Sequence, residues 1–204
     1  MTALFEEHLT VCIDAANLSG FLALAPTLAL IEASGVAVGW LPLTTGLDRL
    51  SARQPGLAAD DPLAAYKARR AAAREAWAKR ELERDCERLG ISVELGERHF
   101  DARCAGMGLM FLNARGGDVP GYLERVYQCA YVDGKNVSTI ATIATLLGDA
   151  DFEAYVESGG YEELESLQRR LLDSGVFSSP AYVVNGEVFQ GRQHLPLLGS
   201  LLAA

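Results

Sequence analysis

The chain has 204 residues, half of them hydrophobic, and a net charge of −9 at pH 7. This length suffices for one substantial core, or for one domain with a second built into it. The acidic charge argues against a nucleic-acid partner. Because no apolar run reaches the roughly 18 residues of a membrane span, and no basic segment precedes an apolar one at the N-terminus, we expect a cytoplasmic protein without a membrane partner.

The first part of the chain has the pattern of a β-α-β unit. Leu9–Asp14 alternates like a strand, a helix is predicted from about Phe21 to Ser34, and Val36–Leu41 is predicted as a second strand. Since the second strand follows the helix directly, we expect it to run parallel to the first. In the turn before the helix, either Asn17 or Ser19 can act as its N-cap.

A long helix is predicted after a polar loop that covers residues 42–60. Asp61 and Pro62 suit its N-cap and first helical position, and the pattern ends near Leu89. Basic residues in its first half favour a solvated, salt-bridged face, with an anion-binding patch as the alternative. An apolar stripe is expected to face inward, formed by Tyr66, Ala73, Trp77, Leu82, Cys86 and Leu89.

Shorter helices are predicted beyond an extended segment at residues 91–95 and an irregular connection over residues 96–108. That connection carries His99, which is either a surface residue or a catalyst. The predicted helices are Leu109–Ala114, one capped by Asp118, Thr139–Leu147 capped by Ser138, Asp151–Glu157 and Tyr161–Asp173.

The four cysteines lie far apart, at positions 12, 86, 104 and 129, so the sequence has no C-x-x-C pair. This spacing excludes a thioredoxin-type redox pair and a zinc knuckle, and no metal site is expected. We therefore interpret the cysteines as reduced thiols packed like small hydrophobic residues.

Near the end, the sequence predicts a hairpin. Tyr182–Val184 is rich in strand-forming residues, Asn185 and Gly186 suit a type I′ turn, and the return strand starts at Val188. Pro180 belongs at the very start of its strand because it cannot donate to a ladder. The Ser179–Pro180 bond is a candidate for the cis form.

These residues carry a resemblance to a known family. Gly-Val-Phe-Ser-Ser-Pro at 175–180, followed by the Val-Val-Asn-Gly-Glu hairpin, Phe189-x-Gly191 and a last helix, resembles the C-terminal signature of the DsbA-like thioredoxin-fold superfamily. The Ser-Pro form is similar to 2-hydroxychromene-2-carboxylate isomerases and kappa-class glutathione transferases. A second segment, Ala-Tyr-x-x-Gly-x-Asn-Val at 130–137, also resembles the isomerase branch.

The resemblance implies an α/β fold, a thioredoxin-like domain with a large inserted all-helical subdomain. Residues 1–43 and 159–204 would form the discontinuous thioredoxin-like domain, and residues 44–158 the helical subdomain. The inserted block would roof the turn after the first strand and create a cleft, the usual place for a small-ligand site. Dimers are common in the resembling family, so a homodimer is a further expectation.

The resemblance also points to site residues. Members of the isomerase branch carry Asp-Phe-x-Ser-Pro-Tyr-x-Tyr-Leu in the first strand-to-helix turn, and the Ser hydrogen-bonds the sulfur of glutathione. Here Asp14 matches, but Asn17 stands at the Ser position and Ser19 is the nearest alternative hydroxyl. The expected catalytic residues are therefore Asn17 and Ser19, with Asn17 as a mere helix cap as the alternative.

The closing hairpin would complete the glutathione site. By resemblance, Ser179 and Pro180 offer backbone hydrogen bonds to the cysteinyl part of glutathione. Arg192 and Gln193 would lie at its γ-glutamyl end, although Gln193 replaces the acid that relatives have there.

Three functions fit these residues. The first is a glutathione-dependent isomerase or transferase resembling 2-hydroxychromene-2-carboxylate isomerase, which acts on a small unsaturated aromatic carboxylic acid. The second is a catalytically inactive DsbA-like binding or interaction protein. The third is a DsbA-family thiol–disulfide oxidoreductase that uses an isolated cysteine. The position of Cys12 inside a predicted strand disfavours the third, because a helix N-terminus is where a thiolate is stabilised.

Overall fold

A computed structural model of the chain describes residues 4–45, 62–89 and 100–203. The chain divides into two compact units, one formed by Met1–Gly46 with His99–Ala204 and the other by Leu47–Arg98. The predicted boundaries at residues 43 and 159 stay a prediction. His99, Asp61 and the segment 91–95 lie outside the described residues.

The first unit contains a four-stranded mixed sheet. Its strands are β1 (Leu9–Ile13), β2 (Val38–Pro42), β3 (Ala181–Val184) and β4 (Glu187–Gln190), in the order β2-β1-β3-β4. β2 runs parallel to β1, as the β-α-β pattern predicts, whereas β3 is antiparallel to both β1 and β4. The sheet therefore joins the opening and closing parts of the chain.

Strand β1 lies at the centre of this sheet and is buried on both faces. Leu9, Val11 and Ile13 pack in the larger hydrophobic cluster, whereas Cys12 packs on the other face with Leu171 and Val183. This division follows from the period of two along a strand, which sends successive side chains to opposite faces. It fixes the register and hence the position at which the strand ends.

The other regular elements of the described residues are helices. They are α1 (Leu18–Ser34), α2 (Pro62–Leu89), α3 (Arg103–Ala114), α4 (Val119–Tyr127), α5 (Ile140–Leu147), α6 (Asp151–Tyr155), α7 (Tyr161–Asp173) and α8 (Leu195–Leu202). Two π-helical segments, Gln128–Val132 and Val156–Gly160, continue α4 and α6, and a 3₁₀ turn at Arg192–His194 precedes α8. No described helix is long and apolar enough to cross a membrane.

Two helices begin earlier than predicted. Helix α1 starts at Leu18 with Asn17 as its N-cap, and Gly20 lies inside the helix instead of in the turn before it. Helix α3 starts at Arg103 instead of Leu109, with Ala102 as its N-cap. The carboxylate of Asp101, just before the cap, accepts the N–H of Arg103 and so satisfies one of the free donors of the first turn.

The predicted cap of α5 is wrong by one residue. Thr139 is the N-cap, and its hydroxyl accepts the N–H of Thr142. The hydroxyl of Ser138 instead accepts the N–H of Asp101, 2.8 Å away, in a contact that no local pattern indicates.

Helix α2 belongs to the second unit and has the predicted length. Its expected inward stripe is wrong for three residues, because Tyr66 is 55% exposed, Trp77 is 62% exposed and Ala73 is exposed as well, whereas Cys86 is buried. Charged residues dominate the rest of the helix, which is consistent with a solvated helix surface.

The hairpin forms as predicted. Asn185 and Gly186 both have positive φ angles, 51° and 80°, as a type I′ turn requires. The Ser179–Pro180 peptide bond is cis, and Pro180 immediately precedes β3.

Candidate functional site

The turn after β1 and the cis-proline loop are in direct contact. The backbone N–H of Asp14 donates to the hydroxyl of Ser179 over 2.8 Å, across 165 positions of sequence. Pairing of β1 with β3, with Cys12 opposite Ala181, brings these two segments to the same end of the sheet. The predicted turn at Asn17 and the predicted loop at Pro180 therefore border one site.

Asp14 is a buried carboxyl at the base of this site and is 3% exposed. One carboxylate oxygen accepts the N–H of Ala16, and the other accepts both the N–H and the hydroxyl of Thr45, at 2.9 and 2.7 Å. Burial raises the pKa of Asp14, and the nearby Asp101 raises it further, while these three donors oppose the rise.

Asn17 is the side chain on which the predicted catalytic site depends, and both ends of its amide are hydrogen-bonded. Its amide oxygen accepts the N–H of Ser19 at 2.8 Å, which caps α1. Its amide nitrogen donates to the hydroxyl of Thr45 at 3.1 Å. Both Asn17 and Ser19 are half-buried.

The N-terminus of α1 gives the site a positive end. No acidic residue lies in its first turn, so the partial positive charge of the helix dipole is not offset there by α1 itself. Such an end favours an anionic group when neighbouring donors also converge on it.

Two tyrosines from the α4 region, meaning α4 and the π-helical segment Gln128–Val132, donate hydrogen bonds to the backbone of the turn. The hydroxyl of Tyr127 donates to the carbonyl of Asp14, and that of Tyr131 donates to the carbonyl of Ala16, at 2.9 and 2.8 Å. The rings of Tyr131 and Phe21 are stacked, with centroids 5.7 Å apart. Helix α4 and the π-helical segment after it thus fix the backbone of the turn.

The cis-proline loop is braced by Gln190 from β4. Its side-chain oxygen accepts the N–H and the hydroxyl of Ser178, and its side-chain nitrogen donates to the carbonyl of Gly175. In the described ranges, neither the backbone N–H nor the carbonyl of Ser179 is hydrogen-bonded to another protein group. Those two groups are free to pair with an extended ligand.

Arg192 and Gln193, the residues predicted to contact the γ-glutamyl end of glutathione, lie beside this loop. The N–H of Gly191 donates to the carbonyl of Pro180 at 2.7 Å, which places the 3₁₀ turn of Arg192 and Gln193 beside the loop. The side chain of Gln193 folds back and donates to the carbonyl of Gln190. Arg192 adds a cationic side chain to the same turn.

The four cysteines are buried, free thiols. Burial raises the pKa of Cys12, in the central strand, to about 12. Burial likewise raises the pKa of Cys86, Cys104 and Cys129, and none of the four forms a disulfide in the described structure. Since the thiolate is the reactive form, these raised pKa values disfavour a nucleophilic role for the four thiols.

The sequence prediction missed Thr45, Tyr127, Tyr131 and Gln190 as contributors to the site. For Thr45 a signal was present, because the carboxyl ends of two parallel strands meet at one edge of a sheet. Thr45 lies just beyond β2 as Asp14 lies just beyond β1. Among the described residues, no group of three or more His, Cys, Asp or Glu side chains is placed to hold a metal ion.

Comparison with known proteins finds the same fold at low sequence identity. No protein-family model and no curated protein sequence matches the chain. A solved 2-hydroxychromene-2-carboxylate isomerase is 16% identical with a TM-score of 0.70, over 95% of this chain and 93% of its own. A probable DsbA oxidoreductase from Streptomyces coelicolor is 17% identical with a TM-score of 0.70, over 97% and 88%.

A third similar structure was determined with a ligand. The cytosolic disulfide reductase DsbM from Pseudomonas aeruginosa, solved with GSH, is 16% identical with a TM-score of 0.63, over 96% of this chain and 99% of its own. These similarities extend over nearly the whole length of each protein. The chain therefore has the DsbA-like thioredoxin fold with a helical insertion, the fold of 2-hydroxychromene-2-carboxylate isomerase.

Proposed function

We propose that the chain binds glutathione between the Asn17 turn and the cis-proline loop and catalyses a glutathione-dependent isomerisation or transfer. The substrate would be a small unsaturated aromatic carboxylic acid. The observation that carries the proposal is the hydrogen bond from Asp14 to the Ser179 hydroxyl, which joins the two halves of the site. The GSH in the DsbM structure supports the choice of ligand.

The residues present fit such a ligand. The free backbone N–H and carbonyl of Ser179 can pair with the cysteinyl part of glutathione, as strands pair in an antiparallel ladder. Arg192 and Gln193, on the turn beside the loop, would contact its γ-glutamyl end, where Arg192 favours a carboxylate. The loss of an acid at position 193 removes a partner for the ammonium group and predicts modest affinity.

At the other end of the site, the chain would stabilise a sulfur anion. The N-terminus of α1 offers partial positive charge there, and the amide of Asn17 offers an N–H donor. When bound, glutathione would supply a thiolate that adds reversibly to the unsaturated acid and so allows rotation about its double bond. The half-buried Ser19 adds a hydroxyl close to the same turn.

One observation favours a second candidate. Because the Asn17 amide is already bound by Ser19 and Thr45, its role could be limited to capping α1. The chain would then be a binding or interaction protein that kept the fold without the chemistry. A thiol–disulfide oxidoreductase is disfavoured, since burial raises the pKa of all four cysteines.

Calorimetric titration with reduced glutathione separates the two candidates. Two variants at Asn17 sharpen the test, because serine and aspartate both cap helices as well as asparagine does. Asn17→Ser supplies a hydroxyl donor and is expected to bind glutathione at least as well as the parent. Asn17→Asp brings a negative charge to the sulfur and should weaken binding roughly tenfold. Equal affinities in all three proteins would show that Asn17 does not touch the ligand.

Activity is tested with 2-hydroxychromene-2-carboxylate, followed by its ultraviolet absorbance. We expect conversion only when reduced glutathione is present, and none with S-methylglutathione, which keeps the peptide but lacks the thiol. Saturable glutathione binding without conversion of any unsaturated aromatic acid would limit the proposal to binding. No binding at all would favour the interaction protein.

A further inference from the structure

Thr45 links the two polar side chains of the candidate site. Its hydroxyl oxygen lies 2.7 Å from the Asp14 carboxylate and 3.1 Å from the Asn17 amide nitrogen. Its backbone N–H also donates to Asp14, at 2.9 Å. Thr45 therefore contacts both residues without being part of the sequence signature that points to the site.

The direction of each hydrogen bond in this chain is fixed by chemistry. A backbone N–H can only donate, so the carbonyl end of the Asn17 amide faces Ser19 and accepts its N–H at 2.8 Å. The NH₂ end of that amide therefore faces Thr45 and donates to its hydroxyl oxygen. The Thr45 hydroxyl then donates its one hydrogen to the Asp14 carboxyl.

The orientation of Asn17 decides what the site offers a ligand. With its oxygen committed to the helix cap and one N–H to Thr45, the group that the side chain retains is its second N–H, a donor. A flipped amide would present an oxygen, which repels an anionic sulfur. A hydroxyl that holds the amide in one orientation thus selects acceptor ligands.

We infer that Thr45 is a positioning residue of the site, whose hydroxyl, anchored on Asp14, holds the Asn17 amide with its N–H donors available to an anionic ligand. The inference concerns the ligand side of the proposed glutathione site and rests on that proposal for its functional meaning. Its structural content, the fixed orientation of Asn17, is testable without any ligand.

The test uses Thr45→Val, which removes the hydroxyl at nearly constant shape, and Thr45→Ser, which restores it. Thr145→Val is a matched control, because Thr145 is exposed and donates only to the carbonyl of Ala141 on α5. In ¹⁵N-correlated NMR spectra, the Asn17 side-chain pair is identified as the pair lost in Asn17→Ser. We expect Thr45→Val to shift this pair, while Thr45→Ser and Thr145→Val leave it near its parent position.

The second readout is the affinity and the thiol pKa of bound glutathione, from calorimetry and thiolate absorbance. Thr45→Val should weaken glutathione binding about fivefold, as for one lost hydrogen bond, and raise the thiol pKa, with both effects reversed in Thr45→Ser. An unshifted Asn17 pair in Thr45→Val, or unchanged glutathione binding, would overturn the inference. If the parent protein binds no glutathione, the proposed function fails, and the NMR result alone decides whether Thr45 orients Asn17.

Discussion

Asp14 combines two opposing effects in a single side chain. Burial in the protein disfavours its charge, whereas three donors from Ala16 and Thr45 favour it. Desolvation is the larger effect, so the pKa of folded Asp14 lies above its ordinary value of 3.8. The carboxylate that anchors Thr45 is therefore held at a cost in stability.

This cost predicts a pH dependence of stability that is specific to Asp14. The folded carboxyl keeps its proton to higher pH than the unfolded one. Between the two pKa values, above pH 3.8, the folded state therefore holds more protons than the unfolded state, and the free energy of unfolding falls as the pH rises. Asp14→Asn lacks this titration. We expect the free energy of unfolding of the parent, minus that of Asp14→Asn, to fall with rising pH and then level off.

Urea unfolding of both proteins at a series of pH values measures this difference. Asp101 lies near enough to raise the pKa of Asp14, so Asp101→Asn should move the fall to lower pH. A difference that instead increases with pH would mean that the hydrogen bonds of Thr45 and Ala16 outweigh desolvation.

At the level of elements, the α4 region fixes the turn that carries Asn17. Tyr127 and Tyr131 lie four residues apart, the second within the π-helical segment, and each donates to a carbonyl of the turn. The two carbonyls differ in one respect. The Asp14 carbonyl also accepts the N–H of Asn17. The Ala16 carbonyl has Tyr131 as its single hydrogen-bond donor among the described residues.

Removing the two hydroxyls should therefore have unequal effects. Tyr131→Phe leaves the Ala16 carbonyl without its donor and should destabilise the protein by about 1–3 kcal/mol. Tyr127→Phe should cost less, because Asp14 keeps a partner. Urea unfolding measures both changes. Tyr155→Phe is the control, since the Tyr155 hydroxyl binds Glu163 at an exposed site, and about 0.5 kcal/mol or less is expected. The reverse order of the two site variants would contradict this explanation.

The elements that were predicted correctly are those with strong local signals. The β-α-β pattern, the Asn185-Gly186 turn and the Ser-Pro loop are each written in adjacent residues, and the structure has all three. The start of α1 was not predictable in this way. Gly20 resembles a turn residue, yet it lies within the helix. A glycine is needed at this position because a Cβ there would come 2.3 Å from the Tyr127 hydroxyl and 2.7 Å from the Asp14 carbonyl.

Contacts between distant parts of the chain also explain why the sequence prediction missed Tyr127 and Tyr131. The contacts of Tyr127 and Tyr131 with the turn span 113 and 115 positions of sequence, and no periodic pattern encodes them. The opposite error occurred on α2, where helical spacing predicted burial for Tyr66 and Trp77, both of which are exposed. Spacing identifies residues on one face of a helix but not whether another element covers that face.

For the molecule as a whole, the sheet unit is assembled from two distant parts of the chain that meet at the proposed glutathione site. A ligand that binds only the folded unit stabilises it by mass action, by about 2.7 kcal/mol at a concentration one hundred times its dissociation constant. The chain offers a selective reporter of this unit. Trp40 lies buried in β2, and Trp77 lies exposed in the second unit.

Replacing Trp77 by phenylalanine leaves Trp40 as the single tryptophan, so fluorescence then follows the unfolding of the sheet. Reduced glutathione at saturating concentration should raise the Trp40 unfolding midpoint by roughly 5–10 °C, given about 2–4 °C per kcal/mol for a domain of this size. Sodium chloride at the same ionic strength controls for screening of the net charge of −9. A shift that salt reproduces, or one that persists undiminished in Asn17→Asp, would place the effect of glutathione outside the turn that joins β1 to α1.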